Sequence, residues 1–172
     1  ETTQVELLVK KAKRGDAEAF IELIEKNKLS MYRVARGFLR EEEDVADAMQ
    51  QTILNAYEHI GELKKINYFK TWLIRILINN CTQLYNSQKP MADQEEAADQ
   101  SYFDTYPGEN SFFDLLSLLE RKDRVIFQLY FGEEYTTREI GEFLGIKEST
   151  VRSRIHRGKE QIRKQIQREE WA

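Results

Sequence analysis

Two stretches of this 172-residue chain group their side chains as a reading surface would need them, and both offer hydrogen bonding and charge rather than bond-making. The first runs from Glu148 to Ile166. Advancing about 100° per residue places Val151, Ile155, Ile162 and Ile166 within an arc of about 60°, with Gly158 about 20° off its edge. The opposite face then carries Ser149, Ser153, His156, Arg157 and Lys164, with Arg152 at its edge. From Lys147 to Arg168 eight bases stand against two acids, a local charge of +6, whereas Glu133 to Ile146 carries −3. A helix so charged can neutralise phosphates, each one steepening the salt dependence of binding by roughly 0.9 in log–log slope. The second stretch is Tyr68 to Asn86, where Arg75, Asn79, Gln83 and Asn86 form a stripe about 80° wide. Amides and one arginine are base-reading chemistry, and Tyr68 and Phe69 beside Lys64, Lys65 and Lys70 suit stacking on unpaired bases. On these residues alone, a solvated amphipathic helix and a core helix with one wet side account for the two stretches equally well.

The elements that must position the first stretch are specified locally. Thr136 with Glu139 three residues on is a capping box, so a helix starts there. Ile140, Phe143 and Leu144 give it one apolar face, Gly145 supplies a left-handed exit, and a three-residue joint leads to the basic helix. Two short helices with this joint are what a helix-turn-helix needs, the second being the one presented to a DNA groove.

The N-terminal part reads as helices throughout. Val5, Leu8, Val9 and Ala12 make a first helix ending at Gly15, and Asp16 caps a long second one, which Asn27 and Ser30 are expected to interrupt. The run Glu41 to Asp44 suits the positive end of a third helix, packed through Val45, Met49, Thr52, Ile53, Ala56 and Ile60. No histidine or glycine-bearing calcium-loop spacing accompanies these acids, so no metal site is expected. Asp47, Gln50, Gln51 and Asn55 form a polar face that reads as solvation. Between Gln88 and Glu109 lie both prolines and six acids against Lys89, which marks a flexible linker. Leu115, Leu116, Leu118, Leu119, Val125, Ile126, Leu129 and Tyr130, preceded by Phe112 and Phe113, then supply a second small core.

Composition bounds the function. The chain carries 26 bases and 30 acids, a net charge of −4. The linker alone makes it acidic, so any DNA contact is local or assisted by a partner. No apolar run approaches the ~18 residues of a membrane span and the polar N-terminus is no signal peptide, so a cytoplasmic protein without membrane insertion is expected. Cys81 is the only cysteine, which excludes an internal disulfide; it is expected to be a small buried helix residue. With His59 and His156 the only histidines, no phosphate-cradling glycine loop and no nucleophile elbow, no enzyme, cofactor or small-molecule substrate is indicated.

DVADAMQQTILNAYEHI from Asp44, NYFKTWLIRILINNC from Asn67, and the block from Leu115 to Ile166 together resemble the bacterial RNA polymerase sigma factors of the extracytoplasmic-function (ECF) group. The resemblance covers nearly the whole chain. It implies an all-α protein of two small helical domains joined by a flexible acidic linker: a sigma region 2-like bundle over 1–87, the linker over 88–109, and a sigma region 4-like helix-turn-helix domain over 110–172. It further implies binding to core RNA polymerase (the beta-prime and beta subunits) and to promoter DNA, and an anti-sigma factor, membrane-bound or not, as the controlling partner.

Residue by residue, the resemblance puts core polymerase binding on Asp44, Asp47, Gln50 and Gln51. It puts recognition and melting of the downstream (−10) element on Lys64, Tyr68, Phe69, Trp72, Arg75, Asn79, Asn80 and Gln83. Upstream (−35) recognition falls on Ser149, Thr150, Arg152, Ser153, His156 and Arg157. The chain departs from the family pattern in Gln51, Ile53 and Tyr57, in the absence of bases from Cys81 to Gln88, and in Lys147, which leaves Glu148 or Ser149 to cap the recognition helix. The alternative is a stand-alone dimeric helix-turn-helix regulator, which would have no use for the motifs of the first domain.

Overall fold

The computed structural model describes residues 3–88 and 114–171, with side chains to Arg168. Apart from Gln88, the expected linker lies outside the described residues, as do Phe112 and Phe113. Every regular element among the described residues is helical.

Helix α1 (Gln4–Lys13) opens on a capping box between Thr3 and Glu6, and the chain leaves it through Gly15 at φ +97°. The Asp16 carboxylate accepts from the Ala19 amide at 3.1 Å and starts α2 (Ala17–Phe38). Contrary to expectation, neither Asn27 nor Ser30 interrupts α2. The Asn27 side chain turns back onto its own helix, donating to the Leu23 carbonyl at 2.8 Å. Leu23, Ile24, Met31 and Val34 are buried around it. Burying each such side chain is worth about 1.5–3 kcal/mol, well above the few tenths by which Asn and Ser disfavour a helix.

Helix α3 (Glu42–His59) begins with the acidic run in its first turn, at the positive end of its dipole. Glu42 is tied back to α2, accepting from the Tyr32 hydroxyl at 2.6 Å with Arg36 Nε 3.8 Å away. Two 3-10 turns, Ile60–Glu62 and Ile66–Tyr68, lead into α4 (Phe69–Ser87). Helices α2, α3 and α4 close a core of Leu23, Met31, Ala48, Ala56, Leu73, Leu77 and Cys81.

In the C-terminal part α5 (Arg121–Phe127) runs on as a π-helical turn to Gly132, followed by α6 (Thr137–Leu144) and α7 (Glu148–Trp171). Leu116, Leu119, Ile126, Leu129, Ile140 and Val151 form its centre. Gly158 fixes how closely α7 crosses α5: a Cβ there would stand 2.5 Å from the Phe127 ring. The two parts share one continuous core. The α2 and α5 backbones meet where Gly37 faces Val125, and the Arg121 Nε donates to the Phe38 carbonyl at 2.9 Å.

Candidate nucleic-acid interface

The helix-turn-helix is assembled as its sequence dictates. Thr136 and Glu139 cap each other's backbone at the start of α6, and Gly145 adopts φ +68°, ψ 33°, the left-handed conformation that a side chain would strain. Gly141 makes the tight joint possible, since a Cβ at that position would lie 2.8 Å from the Ile146 carbonyl oxygen. Val151 and Ile155 are buried against the rest of the domain, so α7 turns Ser149, Arg152, Ser153, His156 and Arg157 outward, with Thr150 half-buried. The Glu148 carboxylate accepts from the Thr137 hydroxyl at 2.8 Å and lies 2.9 Å from Arg152, which joins the first turn of α7 to α6. Near Arg157, burial pushes the Asp123 carboxyl above the usual carboxylate range, against the opposing pull of Arg154.

On α4, Arg75, Asn79 and Gln83 lie exposed along one stripe, with Lys64 and the half-exposed Tyr68 ahead of them. Trp72 is half-buried, and its ring packs 5.9 Å from that of Phe69. Two residues expected on this surface are elsewhere. Phe69 is 2% exposed and belongs to the core, so its ring supports Trp72 and is closed to a stacked base. Asn80 faces α3, where its Nδ2 donates to Thr52 Oγ1 at 3.0 Å and Asn55 Oδ1 at 3.1 Å. Thr52 in turn donates to the Ala48 carbonyl at 2.7 Å, which completes a polar seam between the helices.

On α3, Asp47, Gln50 and Gln51 are exposed and Asp44 is half-buried. Beside them runs an apolar groove of about 420 Å³ between α2 and α3, lined by Leu29, Tyr32, Val45, Ala46 and Met49 with Glu25, Lys28 and Glu42 on its walls. The groove was not anticipated from the sequence. Its only signal there is that Ala46 and Met49 continue an apolar row on the outer flank of α3, toward Leu29 of α2, which is 43% exposed.

The two surfaces are not independent. Arg75 lies 3.5 Å from Glu142 of α6 and over the Phe143 ring at 5.6 Å, while Lys70 pairs at 3.5 Å with Glu133, whose side chain is 4% exposed. Burial, reinforced by Glu133 and Glu139, pushes the Tyr135 phenol well above its usual range, with Thr71 of α4 acting in the opposite direction. The basic end of α4 is thus covered by the acidic flank of the helix-turn-helix domain. No group of His, Cys, Asp and Glu suited to a metal ion occurs among the described residues.

The family profiles "Sigma-70 region 2" and "Sigma-70, region 4" match residues 23–90 and 110–162. The ECF RNA polymerase sigma factor SigW of Bacillus subtilis is 30% identical, the alignment covering 92% of this chain and 94% of that protein. The chain belongs to the ECF group of RNA polymerase sigma factors. SigV of the same organism is 24% identical over 93% of this sigma factor and 98% of its own length. ECF sigma factor SigM of Mycobacterium tuberculosis is 27% identical over 86% and 77%. The same fold occurs in CnrH, solved in complex with the cytosolic domain of CnrY: TM-score 0.67, 22% identity, 95% of this chain and 97% of that one. It occurs also in RpoE of Bartonella quintana, solved with the anti-sigma factor NepR: TM-score 0.68, 15% identity, 86% and 96%. No helix of the described residues is long and apolar enough to cross a membrane.

Proposed function

We propose that this sigma factor joins core RNA polymerase through the α2–α3 groove and the adjoining Asp44, Asp47, Gln50 and Gln51, and directs initiation through two separate reading surfaces. The groove offers an apolar floor with charged walls, suited to an amphipathic helix of the polymerase laid along it. The downstream (−10) element falls to α4 and the turns before it: Arg75, Asn79 and Gln83 read base edges, Tyr68 and Trp72 stack, and Lys64 meets phosphate. Asn80 and Phe69 hold these residues in place from behind. The upstream (−35) element falls to Ser149, Thr150, Arg152, Ser153, His156 and Arg157 on α7, which enters the major groove.

The observation that carries this reading is the paired exposure of two polar, DNA-suited helix faces on one chain, both backed by the shared core. Polymerase then holds both at promoter spacing and converts two weak contacts into one strong one by effective concentration. No catalytic step falls to this chain. NepR is an anti-sigma factor bound to a protein of this fold, and we extend that mode of control to this sigma factor, acting in the cytoplasm or from the membrane through a membrane-bound partner.

Run-off transcription with purified core polymerase on a pool of genomic promoter fragments tests the reading. Transcripts that depend on the protein and are lost with Arg157→Ala or Asn79→Ala are expected. A protein that supports no start sites yet shifts a palindromic duplex as a dimer would overturn it.

A further inference from the structure

Of the two acids between Lys147 and Arg168, Glu148 stands in the first turn of α7, the part of the recognition helix that meets DNA, where a carboxylate repels phosphate. The positive end of the helix dipole accounts for a carboxylate at that position. It does not account for what the carboxylate holds. Glu148 Oε1 accepts from the Thr137 hydroxyl at 2.8 Å and lies 2.9 Å from Arg152 Nη1. One oxygen thus joins the first residue of α6 to an arginine that α7 turns outward. The backbone beneath it is fixed as well, since a Cβ at Gly141 would stand in ordinary van der Waals contact with Glu148 Cα at 3.6 Å. Helix α6 therefore packs directly against the residue that carries the carboxylate.

We propose that Thr137 and Glu148 are positioning residues for Arg152, and that the arginine they hold reads a guanine in the upstream element. This rests on the upstream reading above and adds Thr137, on α6, to the residues that set sequence preference. An arginine on an open helix face swings among many rotamers and settles readily on the nearest phosphate, which carries no sequence information. Arg152 is restrained from both. With Nη1 engaged by Glu148, it stands beside a negative charge that weakens its attraction for phosphate. Its remaining donors still form a fork, which matches O6 and N7 of guanine, two neutral acceptors. Both side chains of the pair are exposed, so it adds little to stability and its value lies in orientation.

The test uses holoenzyme assembled from core polymerase and full-length protein on a promoter that gives a protein-dependent transcript, each upstream position being varied through the four base pairs in competition. At one position the wild-type protein is expected to prefer guanine about tenfold or more, the scale of a bidentate arginine contact. Arg152→Ala should abolish that preference and leave the salt slope nearly unchanged. Thr137→Val and Glu148→Gln should each reduce it about two- to fivefold, the scale of an exposed ion pair, while the thermal melt stays close to that of the wild type. Glu148→Gln should also steepen the salt slope, because Arg152 is released toward phosphate. Thr137→Ser should restore the preference, and neither Thr137→Val nor Glu148→Gln should have any effect at that position once Arg152 is alanine. Positioning variants that weaken binding equally for all four bases would overturn the proposal and leave the upstream reading intact. So would an Arg152→Ala that flattens the salt slope by about 0.9 and spares every base preference. Wild-type holoenzyme that prefers no base at any upstream position would sink both.

Discussion

Replacing Asn80 by alanine removes the donor shared by Thr52 Oγ1 and Asn55 Oδ1. Both acceptors are left at a helix seam that water reaches poorly, so a loss of about 1–3 kcal/mol is expected, read as a lower melting temperature in calorimetry. Asn79→Ala, one residue earlier and exposed, should leave the melt within about 0.5 kcal/mol while reducing protein-dependent transcripts. The helical period already separates the two, since about 100° of rotation takes Asn80 off the Arg75–Asn79–Gln83 stripe. Resemblance alone grouped them. What no period reveals is the partner, because Thr52 is 28 residues away. Phe69 was misplaced for a related reason: an aromatic beside lysines looks the same in sequence whether its ring faces DNA or the core. Cys81 was legible, a buried thiol with burial pushing it up to about 12 from an ordinary 9.0. Its folded pKa lies above the unfolded one, so the neutral thiol contributes stability that is fully present below about pH 9. That contribution is lost as pH rises toward 12. Cys81→Ala should flatten this part of the alkaline stability profile in denaturant titrations.

The helices of the helix-turn-helix were legible almost to the residue because the determinants are local: a cap, a glycine, an apolar period. Thr136→Ala, which breaks the capping box, should cost about 1 kcal/mol in thermal melts. Gly158→Ala tests a different quantity, the distance between helices. The Phe127 ring would have to move to admit the new methyl, at about 1–3 kcal/mol, and α7 would tilt relative to α6. DNA binding by α7 should therefore fall further than the melting temperature suggests. Where local rules failed, tertiary packing was stronger: α2 passes unbroken through Asn27 and Ser30 because its apolar neighbours are buried on both sides. The α2–α3 groove is hardly marked in the sequence because a groove belongs to two helices, and neither sequence segment specifies its partner.

At the scale of the molecule, the charge asymmetry noted in the sequence acquires a partner. The −3 stretch before the recognition helix supplies Glu133 and Glu142, which meet Lys70 and Arg75 of α4. Such pairing across 60 or so residues has no local signature, which is why the closed arrangement could not be read in advance. The pairs are unequal. Arg75 and Glu142 are both about half exposed, so their attraction is worth under about 1 kcal/mol and salt screens it. Glu133 is nearly buried, and Lys70→Ala would strand its carboxylate. Energy transfer between dyes on the two domains should accordingly drop more for Lys70→Ala than for Arg75→Ala, and both changes should shrink in Glu133→Gln/Glu142→Gln. One further contact bears on reach. The Arg121 guanidinium lies 3.1 Å over the Tyr85 ring, which pins together two points just outside the segment 89–113. A segment of that length, drawn out fully, measures about 80–90 Å. Released from the ring and from the α2–α5 packing at Gly37 and Val125, the recognition helix could therefore land as far as about 25 base pairs from α4 at 3.4 Å per pair. Packed against α2 and α4 it has no such range, so this one seam separates a closed molecule from one able to straddle a stretch of duplex.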